Sequence, residues 1–352
     1  MKITFVTATL SSGGSERVMT LIANALVDRG HEVSIILLRD KIVFYNVDER
    51  VQLIYANDAS SHLYAKIIWL RRYIKNSKPD VVIPFMTGVY CTTILSLLNL
   101  KVPIISSERI DPRHSSRLRK LLRWIFLRYT THLVVQTSDI KSYYSKSIQR
   151  RTSIIANPVS DTIFNLTADV EPISRIITVG RLHPQKNHHM LIDAFSEVAK
   201  RYPEYSLVIY GEGPLRHELT EHIERLHFED KVLLAGRTDK IIEELQRSEI
   251  FCLSSDFEGM SNALIEAQCV GLPIVTTNVS GVNDIMVNGI HGYITPTKDK
   301  ELFAEAIIRV IEDKEASREF SKNNKQAAQR YRLESIVTEW EELITQIVKN
   351  NA

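Results

Sequence analysis

Cysteine is scarce in this 352-residue chain: Cys91, Cys252 and Cys269 lie far apart, the last two inside apolar runs. That spacing argues against a disulfide framework or a cysteine-based metal site and predicts buried, reduced thiols. No apolar stretch reaches the ~20 residues that a membrane-spanning helix needs. The opening run "KITFVTAT" passes directly into a glycine-containing turn, so no signal peptide is read and a cytoplasmic protein is expected. A G-x-G-x-x-G fingerprint is also missing, which disfavours an NAD-dependent oxidoreductase. So are an Asp-x-Asp tripeptide of the metal-holding kind, any low-complexity tract and the usual nucleic-acid-binding motifs.

Charge of one sign is unevenly spread. Residues 1–160 hold 23 Lys and Arg against 11 Asp and Glu, a net of +12, whereas residues 161–352 carry −10. Such a split predicts two bodies with different neighbours, the first facing something anionic. In the first half, "KITFVTAT" and "HEVSIILL" flank a helical pattern from Glu16 to Asp28, forming a βαβ unit. Further strands are read at "DVVIPFM", "VPIISSE", "HLVVQTS" and "SIIANPVS", the last ending in Asn157-Pro158, a hinge signal. The second half restarts the rhythm with "RIITVGRL", "YSLVIYGEG", "KVLLAG", "IFCLSS" and "PIVTT", each followed by helical sequence. Two doubly wound α/β domains in tandem are predicted, over residues 1–157 and 158–332, with a final helix at 333–352 packing back on the first.

In open α/β sheets ligands meet the carboxyl ends of the strands, so polar residues just after strands are the candidates. Gly13 and Gly14 let backbone N–H groups approach a ligand at the start of the first helix, or simply make a tight turn. Arg181 and Lys186, five residues apart after one strand, suit a diphosphate, or else are two solvated surface charges. His183, His188 and His189 share that loop without carboxylate or cysteine, which favours local hydrogen bonding over metal ligation. In "SSDFEGMSNALIEAQCVGLPIV", Glu258 lies just outside a helix start and Glu266 lies one to two turns in, with Ser261 and Asn262 as caps. Capping and surface exposure are the bland alternatives for these two glutamates.

Taken together, the Gly-Gly turn, the Arg-x4-Lys loop and the Glu-x7-Glu stretch resemble the retaining GT-B glycosyltransferases of family 4. "SGGSERV", "VGRLHPQKN" and "YGEGPL" fit as well, and the resemblance covers almost the whole chain. It implies two Rossmann-like domains with a cleft between them, the first binding acceptor and the second a nucleotide-diphosphate sugar, with no cofactor and no metal. By the resemblance Arg181 and Lys186 neutralise the leaving diphosphate and Gly13 and Gly14 allow closure on the substrates. Glu258 lies by the transferred sugar and Glu266 grips the ribose. N–H groups around Asn262, Ala263 and Leu264 hold phosphate, and Arg237 flanks the base. The family's usual histidine after "IISS" is replaced by Glu108-Arg109, which become acceptor or sugar contacts, or else an internal ion pair.

Two segments without acids, residues 112–138 and 59–79, interleave basic residues with apolar and aromatic ones. The first carries Arg113, Arg117, Arg119, Lys120, Arg123 and Arg128 around Leu118, Leu121, Leu122, Ile125 and Tyr129, with Trp124 and Phe126; the second carries Lys66, Arg71, Arg72, Lys75 and Lys78 around Trp69 and Tyr73. They suit an anionic membrane surface, and otherwise they are core with a solvated face. No nucleic-acid partner is expected. The sequence therefore reads as a hexosyltransferase, most simply UDP-sugar-dependent. It would act on a lipid-diphosphate-linked acceptor at the inner face of the cell membrane, in the assembly of surface polysaccharides such as O-antigen, lipopolysaccharide or capsule. The alternatives are a transferase with a small soluble acceptor such as a sugar phosphate, and a non-enzymatic membrane scaffold.

Overall fold

A computed structural model describes every residue except 12, 40–41, 57–61, 166–170 and 352. Ser12 of the Gly-Gly turn and residues 59–61 of the second basic segment are thus outside the described residues. The chain divides into two compact units, Met1–Ser160 with Tyr331–Ala352, and Asp161–Arg330.

In the first unit, β1 (Lys2–Thr7), β2 (Glu32–Leu37), β3 (Gln52–Tyr55) and β4 (Val81–Pro84) form a sheet in the order β3-β2-β1-β4. Bridges Val82–Ile104 and Phe85–Ser107 join it to β5 (Ile105–Ser107), β6 (His132–Val135) and β7 (Thr152–Ile154). Every strand pair is parallel. Parallel sheets are covered on both faces, which is why these strands read as continuous apolar runs rather than alternating ones. Ile3 and Phe5 face one core, while Val6, one residue on, faces the other with Ile36 and Leu70.

The last helix, Leu333–Asn351, belongs to this unit and buries Ile336, Val337, Trp340 and Ile344 in the core that contains Ile3 and Phe5. Polar contacts fix its register. Arg29 donates to Glu334 and Glu341 at 2.6 and 2.7 Å, and His31 meets Glu341 at 2.7 Å.

The second unit holds β8 (Arg175–Val179), β9 (Ser206–Tyr210), β10 (Val232–Gly236), β11 (Ile250–Leu253), β12 (Ile274–Thr277) and β13 (Gly292–Thr295). Their order is β10-β9-β8-β11-β12-β13, again all parallel. The three cysteines are free and buried. Among the described residues no helix is long and apolar enough to cross a membrane.

Candidate active site

The strand order of the second unit runs outward from β8 in one direction and from β11 in the other. Connections therefore leave β8 and β11 toward opposite sides and open a crevice beyond their carboxyl ends, where ligands bind in doubly wound sheets. Both glutamate- and cation-bearing stretches of the sequence converge there. Residues 180–187 follow β8, and residues 254–261 follow β11.

These loops are stitched to each other. The Asp256 N–H donates to the Gln185 carbonyl at 2.9 Å, and Gln185 Nε2 donates to the Phe257 carbonyl at 2.8 Å. Asn187 Nδ2 donates to Asp256 Oδ1 at 3.0 Å, and Ser254 Oγ to the Lys186 carbonyl at 2.9 Å. Inside this frame Lys186 Nζ lies 2.5 Å from Glu258 Oε1, which also accepts from Ser255 Oγ at 2.6 Å. Lys186 and Glu258 thus touch, 72 residues apart in sequence. Glu258 is only 7% exposed, so its charge depends on that cation and on the hydroxyl. Asp256 is legible in sequence as an acidic turn before Glu258, whereas Gln185 and Ser255 carry no signal beyond their positions after strands.

The lysine packs over a residue without a side chain: a Cβ on Gly180 would come within 3.1–3.3 Å of Lys186 carbons. Gly211, in "YGEG", is more constrained. Its φ is +147°, and a Cβ there would sit 1.9 Å from the Gly180 carbonyl oxygen. Only glycine lets the loop after β9 press against the loop after β8. That contact is closed by Gly180 N–H to Tyr210 O at 2.9 Å and Leu182 N–H to Glu212 O at 3.0 Å.

His188 starts the helix His188–Arg201 and is 1% exposed. Its Nε2 meets the Arg181 carbonyl at 3.3 Å, which orients the cationic loop from behind. Burial, helped by nearby Lys186, pulls its pKa down to about 4. A folded-state value below the unfolded one means that the unfolded chain binds more protons between about pH 6.5 and 4. Stability should therefore fall as pH drops through that window. His132, lowered to about 4 by burial, adds to the slope. His188→Gln, which keeps an N–H donor, should flatten the decline; an unchanged pH profile of the unfolding midpoint would show that His188 is not the group responsible. His183 Nδ1 accepts from the Gln185 N–H at 3.4 Å, and His189 pairs with Glu218 at 3.2 Å. Among the described residues no group of three or more His, Cys, Asp and Glu side chains is placed to hold a metal.

Beyond β11 the helix Asn262–Val270 begins with Ser261 Oγ accepting from the Leu264 N–H at 3.4 Å. Glu266 is 3% exposed, so a solvated surface role is ruled out for it. Glu258 does not cap a helix but takes Lys186 and Ser255. Leu264 is buried, whereas Asn262 and Ala263 remain partly exposed at the helix start. Arg181 and Arg237 are exposed, the latter just past β10. Beside it Glu212 is held below the usual carboxylate range, chiefly by hydrogen bonds from Arg216 and less by the Arg237 charge.

The remaining candidates belong to the first unit. Gly13 is extended (φ −100°) ahead of the helix Gly14–Asp28, and its carbonyl accepts from Tyr45 OH at 3.0 Å. Its backbone angle does not require glycine, and a Cβ there would meet only the flexible Glu16 carboxylate. Glu108 is 1% exposed and forms an internal ion pair, though with Arg123 rather than its neighbour. Its Oε2 accepts from Arg123 Nε at 2.8 Å, Thr87 Oγ1 at 2.9 Å and Tyr90 OH at 3.2 Å. Arg123 therefore leaves the surface set of cations expected on the helix Arg117–Phe126. On that helix and just after it, Leu118, Leu121, Trp124 and Tyr129 are exposed, whereas Leu122 and Phe126 pack against the first unit's core, so only part of the apolar pattern lies at the surface.

Comparisons with known proteins bear on family and fold. A family model described as Glycosyl transferases group 1 matches residues 164–327, and one described as Glycosyltransferase Family 4 matches residues 12–162. The chain is 30% identical over 99% of its length to the Campylobacter jejuni enzyme named GalNAc-alpha-(1->4)-GalNAc-alpha-(1->3)-diNAcBac-PP-undecaprenol alpha-1,4-N-acetyl-D-galactosaminyltransferase, 99% of which is covered. It is 34% identical, over 39% of its length and 36% of the relative's, to an Escherichia coli UDP-Gal:alpha-D-GlcNAc-diphosphoundecaprenol alpha-1,3-galactosyltransferase. Among solved structures, Anabaena HepE in complex with UDP and glucose superimposes with a TM-score of 0.84 at 18% identity, covering 98% of this chain and 100% of that one.

Proposed function

The chain belongs to the group 1, family 4 glycosyltransferases of GT-B fold, and from that premise we propose its donor, acceptor and residue roles. It moves a hexose or N-acetylhexosamine, with retention at the anomeric carbon, from a UDP-sugar to a lipid-diphosphate-linked saccharide in surface polysaccharide assembly. The second unit binds the donor and the first binds the acceptor. The observation that carries this reading is the Lys186–Glu258 contact at the β8/β11 crevice, with exposed Arg181 on the same loop.

A glycosidic bond to a nucleotide breaks with negative charge growing on the leaving diphosphate. Arg181 and Lys186 supply preorganised positive charge there, without the metal that other transferases use. Lys186 is paired with Glu258. An incoming diphosphate competes for the ammonium, which leaves the Glu258 carboxylate beside the sugar whose anomeric carbon becomes positive. Glu266, Arg237 and the N–H groups of Asn262, Ala263 and Leu264 take the nucleoside and phosphate. Gly13 and Gly14 leave room for the acceptor at the first unit's β1 edge. The names of the two relatives, both with a diphospho-undecaprenol acceptor, support the lipid-linked acceptor.

The helix Arg117–Phe126 supports attachment to a membrane surface. Leu118, Leu121 and Trp124 are 65, 52 and 62% exposed, with Arg117, Arg119, Lys120 and Arg128 around them. Arg128 stacks on Trp124, its Cζ 3.8 Å from the ring centroid. Apolar residues at the surface beside cations suit an anionic bilayer, each basic residue adding about 1 kcal/mol near it. A peripheral protein on the inner membrane face is the resulting picture. The double variant Leu121→Glu, Trp124→Glu should lose co-sedimentation with vesicles of 30% phosphatidylglycerol yet keep its rate on a short-chain soluble acceptor. Undiminished sedimentation would remove this helix from the membrane contact.

A further inference from the structure

Arg109, two residues past β5 at the carboxyl edge of the first unit's sheet, is 6% exposed. Its guanidinium carbon lies 4.6 Å from the Phe85 ring centroid and 5.8 Å from that of Trp340. Nη1 donates to Asn157 Oδ1 at 2.9 Å, and Gln136 Nε2 donates to the same oxygen at 2.7 Å. Nε and Nη2 of Arg109, and Oε1 of Gln136, have no hydrogen-bond partner among the described residues. All three atoms are buried.

The pattern of what is satisfied and what is open carries the argument. A guanidinium grips a carboxylate or phosphate through parallel N–H bonds from Nε and Nη2, its fork edge. That is the edge left open here, while the less suited Nη1 is occupied. The nearby carboxylates are committed elsewhere: Glu108 to Arg123 at 2.8 Å, and Asp111 to Arg113 at 3.3 Å. Arg123, just as buried, thus has its counter-charge, and among the described residues Arg109 has none. A buried charge without a partner is costly to keep, and burial pulls the Arg109 pKa down to about 9. Gln136, held on the same Asn157 oxygen, contributes an open acceptor for a hydroxyl.

We propose that Arg109 and Gln136 form an oxyanion subsite of the first unit, which takes a phosphate or carboxylate group on the Nε/Nη2 edge. The phosphate of a lipid-diphosphate-linked acceptor and a free phosphate ion share that chemistry. The subsite is argued from the first unit alone and does not rest on the donor loop of the second.

The test uses the full chain carrying Arg181→Ala and Lys186→Gln, which removes both cations of the second unit's loop yet leaves buried Glu258 a hydrogen-bond donor. Its unfolding midpoint is followed against sodium phosphate at constant ionic strength, and separately against a short-chain prenyl-diphosphate-N-acetylglucosamine. A saturable rise in midpoint is expected, with apparent affinity falling at least tenfold on adding Arg109→Met. Arg109→Lys, which keeps the charge but loses the fork, should also bind several-fold more weakly, and serves if the methionine variant does not fold. Tighter binding of the prenyl diphosphate than of phosphate identifies the acceptor as the source, and equal binding identifies the free ion. No saturable response to either probe, or an equal response in the Arg109→Lys protein, would overturn the subsite.

Discussion

Lys186→Ala is expected to lower turnover by roughly 10²–10³-fold, the usual cost of removing one preorganised stabiliser of transition-state charge. Arg181→Ala should lose a comparable factor, since both cations would meet the same departing diphosphate. The two variants should nonetheless differ in stability. Lys186 is the cation of the buried Glu258, and stripping one partner from a buried pair costs about 3–5 kcal/mol when the other charge stays. Arg181 is exposed, and exposed substitutions usually stay within about 0.5 kcal/mol. Thermal unfolding alongside steady-state rates separates the effects. Near wild-type turnover in both variants would remove the cationic loop from the chemistry.

The second large effect is expected at the two glutamates, which should fail in different ways. Glu258→Gln should depress kcat most, because a carboxylate beside the anomeric carbon acts more strongly in the transition state than in the bound donor. It should also loosen Lys186, which would be left without its ion pair. In the proposed reading Glu266 grips the ribose, which does not react, so Glu266→Gln should mainly raise the donor KM, by a factor equivalent to roughly 1–3 kcal/mol of charged hydrogen bonding. Steady-state kinetics at saturating acceptor decides the matter. Equal losses in kcat and KM from both changes would mean that the carboxylates form one structural unit.

Much of this architecture is written locally. The runs "RIITVGRL" and "IFCLSS" are apolar because their strands are covered on both faces, and the polar residues that follow them mark the ligand edge. What local pattern does not carry is strand order. The Lys186–Glu258 contact exists because β8 and β11 are neighbours in the sheet although two strands, β9 and β10, and their helices lie between them in sequence. Helical periodicity has a similar limit. It shows that Leu118, Leu121 and Ile125 share a stripe, but not which stripe faces inward. Burial of Glu108 decides that, since its carboxylate draws Arg123 to the inside and leaves Leu118, Leu121 and Trp124 outside. Glu108 and Arg109 are adjacent in the chain yet have different surroundings, one fully paired and the other with an open fork edge.

Acceptor glycosylation by a panel of UDP- and GDP-sugars, with a prenyl-diphosphate-linked saccharide and EDTA present, tests the central claim most directly. The account predicts that mass spectrometry finds the acceptor heavier by one hexose or N-acetylhexosamine from a UDP-sugar. It also predicts an α-linkage by proton coupling at the new anomeric centre, and loss of product with Lys186→Ala. Transfer that stops in EDTA and returns with Mg²⁺ or Mn²⁺, or transfer only to a soluble sugar phosphate, would contradict it.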